Sequence, residues 1–155
     1  MTEPLLSDSK VLFRVPNADD SVEAETLWST HLGGDKYKLD NSPFFAYNVS
    51  WDDVVFASFL KSEGHPTCQR VVEKSGIRTI RIFFDPPVET DNQSDGVLQG
   101  LVLLGCSYEG ANRKYISLNI PPSVVLDSVR NYLIENNATW EHADPTDACL
   151  YPKDA

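Results

Sequence analysis

GIRTIRIFFDPPVETDNQSDGVLQGLVLLGC, residues 76–106, is where the pattern of the chain changes and where its fold class is decided. Ile77 to Phe84 reads as a strand, with Ile80, Ile82 and Phe84 on one face at the two-residue period of a pleated backbone. Asp85 to Gln93 is a loop rich in proline and acids. Ser94 is the expected N-cap of a helix, and Asp95 follows in the first turn, where a carboxylate suits the helix dipole. Val97, Leu98, Leu101, Val102 and Leu104 fit a helical face, and Gly105 sits where a C′ glycine belongs. Gly96 and Gly100 weaken that helix by roughly 1 kcal/mol each relative to alanine. Leu101 to Leu104 also fits a strand.

Downstream, Cys106 to Glu109 is a short strand, Gly110-Ala111-Asn112 a turn, and Lys114 to Ile120 a strand. Pro121-Pro122-Ser123 stops it and starts a helix whose buried stripe is Val125, Leu126, Val129, Tyr132 and Leu133, closed by Asn136-Asn137. Ala138 to His142 is a last strand. Strand, helix, strand, strand, helix, strand is the order of a ferredoxin-like half, a two-layer solution with both helices on one sheet face.

Upstream the chain is all strand and turn. Lys10 to Val15, Glu23 to Leu32, Lys36 to Leu39, Asp53 to Leu60 and Gln69 to Lys74 are the expected strands. Gly33-Gly34-Asp35 makes the second and third a hairpin. Six or so short strands at close turn spacing suggest a small, curved β-barrel, with Phe44, Phe45, Tyr47, Val49 and Trp51 in its core or rim. The expected organisation is α+β: a flexible N-terminus over 1–9, a barrel-like half over 10–75, a ferredoxin-like half over 76–143 and a polar tail over 144–155.

The chain has 155 residues, 41% of them hydrophobic, which is enough for a packed core and unlike a disordered composition. No stretch approaches the roughly 18 apolar residues a membrane span needs. Met1 to Lys10 lacks a basic region followed by an apolar one, so the expected location is the cytoplasm. Cys68, Cys106 and Cys149 are widely spaced, with neither a disulfide framework nor a zinc pattern.

The net charge is −10, unevenly spread. Residues 1–60 hold ten acids and four bases, 61–84 two and five, and 85–155 eleven and four. Phosphate binding is dominated by Lys and Arg, so such a chain is not expected to coat nucleic acid. Its field would attract a basic partner and speed the encounter. The plainer alternative is that acidity keeps the protein soluble.

Nothing in the chain composes a reactive centre. His31, His65 and His142 lie at no metal-ligand spacing, and each reads as structural or solvated. Cys106 follows the wrong end of a helix for a reactive thiolate. Asp52 and Asp53 are neighbours pointing to opposite faces, so turn capping by Asp52 is favoured over acid–base work. Asp40-Asn41 reads as a turn device. No phosphate loop, dinucleotide fingerprint or nucleophile elbow occurs. Lys61, Arg70, Lys74, Arg78 and Arg81 form a local basic segment, read as partners for nearby acids or as a small patch for RNA or an acidic partner.

The stretches Val11–Val15, Glu25–Trp28, Leu39–Tyr47 and Val49–Val55, with Arg70–Gly76 and Gly105–Asn112, resemble a bacterial family of small uncharacterised proteins, a domain of unknown function. DNSPFFAYNVS at 40–50 and GCSYEGAN at 105–112 are the motifs that carry the resemblance. It implies a bacterial cytosolic protein and transfers no catalytic residues. The acidic Asp85–Asp95 loop is where this chain departs from the pattern.

The functional expectation is a protein-binding protein, not an enzyme, without cofactor or metal. Its most specific form is an immunity protein that occludes a basic bacterial toxin. The expected contact residues are Asp19, Asp20, Glu23, Glu25, Asp85, Glu89, Asp91, Asp95, Glu141 and Asp144, with Tyr47, Trp51 and Tyr108. The alternatives are a small-molecule- or RNA-binding regulator, with Tyr47, Trp51 and Tyr108 lining a cleft, and a small enzyme.

Overall fold

The structure, a computed structural model, describes residues 9–16, 19 and 21–152. It is mixed α+β: mostly antiparallel strands in two sheets, with three short helices. The chain divides into two compact units, Met1–Ser75 and Gly76–Ala155.

In the first unit β1 (Ser9–Pro16), β2 (Val22–Gly33), β3 (Lys36–Leu39), β4 (Val54–Leu60) and β5 (His65–Glu73) pair in chain order, each antiparallel to the last. β5 meets β1 in parallel at Leu12↔Thr67, which closes the barrel. Closure removes the unpaired edges that an open sheet would present. Alternation puts Val11, Phe13 and Val15 of β1, Leu27 of β2 and Val55 and Ala57 of β4 inside, where Ala46 and Val49 join them. Full burial of such side chains stabilises by roughly 1.5–3 kcal/mol each for the larger ones. Gly33 and Gly34 have φ of 109° and 56°, the left-handed backbone that the β2–β3 turn requires.

Five strands form the barrel, fewer than the six or so expected from turn spacing. The aromatic run Phe44–Trp51 is a loop, because Pro43 has no N–H and the amides that follow are held by a carboxylate instead of a neighbouring strand. Its aromatics are therefore not the core: Phe45 and Tyr47 are exposed, and Phe44 and Trp51 are half-buried. β5 starts at His65, four residues before the expected Gln69, which leaves His65 half-buried.

In the second unit β6 (Arg78–Phe83), β7 (Ser107–Gly110), β8 (Tyr115–Ile120) and β9 (Thr139–Asp144) lie in the order β7-β8-β6-β9, all neighbours antiparallel. α1 (Gln93–Leu103) links β6 to β7, and α2 (Leu126–Glu135) links β8 to β9. One sheet face, from Ile80, Ile82, Ile116, Leu118 and Ile120, packs with Val97, Leu98 and Leu101 of α1 and Val129 and Leu133 of α2.

The N-cap of α1 is Asn92, whose side chain accepts the Asp95 N–H at 2.8 Å. Ser94, the expected cap, is buried and donates to the Pro86 carbonyl at 2.6 Å. Leu101–Leu103 is helical and Leu104 is the C-cap, which settles the helix-or-strand alternative. Val102 and Leu104 are exposed, so the buried stripe is narrower than expected. Gly100 is where the helices touch. A Cβ there would lie 1.9 Å from the Tyr132 hydroxyl, which donates to the Val97 carbonyl at 2.9 Å. Val125, expected in the stripe of α2, is exposed at its N-cap. The expected polar tail begins inside β9 and contains α3 (Asp147–Leu150), capped by Thr146. No helix among the described residues is long and apolar enough to cross a membrane.

Candidate interaction surface

The loop from β3 to β4 is tied down by its own side chains and by those of β2. Asn41 accepts the Trp28 N–H at 2.9 Å, so its side chain continues the β2–β3 ladder after the backbone has turned away. Thr30 donates to Asp40 at 2.7 Å.

Glu25, on β2, then takes control. Its Oε2 accepts the Phe44 N–H at 2.6 Å, and its Oε1 accepts those of Phe45 and Ala46 at 3.1 and 3.0 Å. Successive amides aimed at one anion form a nest, filled here by the protein's own carboxylate. Glu25 is only 8% exposed. The three amide hydrogen bonds take the place of the water that a buried carboxylate gives up.

Asp53 does the same at the far end. It is fully buried and accepts Ser50 N–H at 2.9 Å, Ser75 N–H at 2.7 Å and the Lys74 ammonium at 2.6 Å. Asp53 is thus the capping carboxylate, where Asp52 was expected. Asp52 instead takes a left-handed φ of 67° and lies 3.6 Å from Lys38.

Held at both ends, the loop buries Ala46 and Val49 and turns Phe45 and Tyr47 outward, 48% and 47% exposed. Exposed aromatic rings on a backbone that is already ordered make good anchors, because little entropy remains to be lost on binding.

The expected contact acids divide by burial. Asp19 and Glu23 are exposed, and Asp20 lies outside the described residues. The Ser21 hydroxyl and amide on Asp19 hold its carboxyl below the usual value. Glu25 must be withdrawn from the surface, since the loop amides consume it. Asp85, Glu89 and Asp91 are exposed, and Asp95 is half-buried in the first turn of α1, accepting from Gln99 at 3.3 Å. Glu141 is exposed on β9. Asp144 is 6% exposed and is also withdrawn: it ends β9 opposite the fully buried Thr79, just past a shift in register. Tyr47 is exposed and Trp51 half-buried in the first unit, where the Trp51 carbonyl accepts the Ser75 hydroxyl at 2.8 Å. Tyr108 is exposed on β7 of the second unit.

The basic segment is largely committed to the fold. Lys74 pairs with Asp53, Arg78 donates to the carbonyls of Pro121 and Val124, and Arg70 stacks on Phe56 at 4.6 Å. Arg81 is 2% exposed. Burial pushes the thiols of Cys68 and Cys106 up to about 11, far from a nucleophilic thiolate at neutral pH. Among the described residues, no cluster of three or more His, Cys, Asp or Glu could hold a metal ion.

Sequence reasoning missed Glu25 and Asp53 as structural anions and Phe45 as an exposed ring. One signal was available: Glu25 is in phase with Leu27 on β2, so a strand that buries Leu27 also turns Glu25 inward.

The matched family, described as "Domain of unknown function (DUF4265)", covers residues 25–143. No curated protein matches the chain. A crystal structure of a hypothetical protein from Neisseria gonorrhoeae is similar, with a TM-score of 0.74 over 94% of this chain and 99% of that one. At 17% identity the likeness concerns the fold alone. The chain belongs to the DUF4265 family.

Proposed function

From membership of a family without an assigned activity, we propose that the chain acts by binding another protein. The observation that carries this reading is the loop held by Glu25 and Asp53, which presents Phe45 and Tyr47 to solvent as fixed anchors. The partner is basic, because the net charge is −10 and Asp19 and Glu23 in the first unit, and Asp85, Glu89, Asp91 and Glu141 in the second, are exposed carboxylates. Charge of this sign accelerates docking and suppresses acidic competitors. The specific form is an immunity protein in the bacterial cytoplasm that occludes a basic toxin, with the barrel displaying the anchors and the second unit read as a ferredoxin-like half. Burial that raises the Cys68 and Cys106 thiols to about 11 weighs against a thiolate nucleophile at either position.

The test is affinity capture from the native host with the wild-type chain and with Phe45→Ala/Tyr47→Ala. The expected result is a basic protein retained by the wild type and lost by the double variant, with both baits equally folded by circular dichroism. Capture of nothing, or of the same proteins by both baits, overturns the proposal.

A further inference from the structure

The sheet of the second unit carries a pocket of about 230 Å³. Its walls follow from register. Phe83 on β6 lies directly opposite Tyr115 on β8 and Thr139 on β9, and Arg81 lies opposite Glu141 one row along. Ile80 and Ile82 point into the core with the helices, so Arg81 and Phe83 point to the other face. The pocket is lined by these five side chains and by the edges of Ile82 and Trp140. Phe83 is 47% exposed and Arg81 only 2%. Two aromatic side chains opposite one another on the sheet thus stand one row from the exposed Glu141 carboxylate, an acceptor.

We propose that this pocket binds the nucleobase of a nucleoside-type small molecule. The rings of Phe83 and Tyr115 offer π-faces for stacking, the way sheet aromatics hold bases elsewhere. The exposed Glu141 carboxylate accepts from an exocyclic amino group, as carboxylates do from cytosine N4. That selects adenine, cytosine and guanine over uracil. A net charge of −10 argues for a single base and against a polynucleotide, whose phosphates need many cations.

The test is calorimetric titration of the full chain with adenosine, cytidine, guanosine and uridine, and separately with a short single-stranded oligoribonucleotide. Saturable binding is expected for an amino-bearing nucleoside, with uridine weaker. Phe83→Ala and Tyr115→Ala should each weaken it about tenfold to a hundredfold, from the loss of a stacking face. Glu141→Gln should erase the preference over uridine. If Phe83→Ala fails to fold, Phe83→Leu keeps the apolar bulk and loses the π-face. No saturation by any nucleoside at millimolar concentration overturns the proposal. So does equal binding by the ring variants, or binding of the oligoribonucleotide alone.

Discussion

At the scale of single residues, the energetics concentrate in buried ionisable groups. Glu25→Gln keeps the shape but loses the charge that holds three amides, and should cost about 1–3 kcal/mol of stability, read as a lower urea midpoint. Glu23→Gln, two residues away and exposed, should stay within about 0.5 kcal/mol. His142 gives a second reading. Burial, and then the Arg130 guanidinium, lower its pKa below the ordinary value of 6.5, while Asp147 pulls the other way. The unfolded chain takes up this proton near pH 6.5, and the folded chain only at lower pH. Stability from this group is therefore complete above about pH 6.5 and is lost as the pH falls below it. Melting temperature followed from pH 7.5 to 5 should fall less steeply for His142→Gln than for the wild type. At alkaline pH the thiols of Cys68 and Cys106 act in the opposite sense. They stay protonated to about 11 when folded and lose the proton near 9 when unfolded, so stability declines between those values. Thiol labelling at pH 7.5 should modify the exposed Cys149 first and leave Cys68 and Cys106 slow until the protein unfolds. Composition alone could place none of these groups. A glutamate reads as surface until the phase of its strand is taken seriously, and the in-phase neighbours of Arg81, Thr79 and Phe83, do not mark its face of β6 as buried.

At the scale of elements, periodicity was legible wherever burial is one-sided. β1 and β2 came within one residue of their observed ends, and β3 at both ends, because alternation and a Gly-Gly turn state the register twice over. The loop after β3 was opaque for a physical reason. Its hydrogen bonds go to side chains on other elements, which sequence periodicity does not encode. Helix α1 shows the same limit at its start, where Asn92 and Ser94 both suit a cap and only packing decides. Its glycines make a sharp pair. A Cβ at Gly96 meets nothing within 4 Å, so Gly96→Ala should stabilise by roughly 0.5–1 kcal/mol. A Cβ at Gly100 strikes the Tyr132 hydroxyl, so Gly100→Ala should destabilise by about 1–3 kcal/mol. Chemical denaturation of the two single variants checks both signs in one helix.

At the scale of the whole molecule, function is argued from surface. A chain with a net charge of −10, and with two exposed rings on a loop anchored by buried carboxylates, is equipped to meet a basic partner quickly and hold it. The long-range attraction and the short-range anchors make separable contributions. Salt acts on the first through screening, over a distance of about 8–10 Å at physiological strength. Ring removal acts on the second, through dissociation. The most direct measurement is the dissociation constant of the captured partner, titrated at several salt concentrations against the wild type and against Phe45→Ala/Tyr47→Ala. Affinity should fall steadily as salt rises, and the double variant should bind at least about tenfold more weakly at every salt concentration. An affinity indifferent to salt and unchanged by loss of both rings would contradict the account.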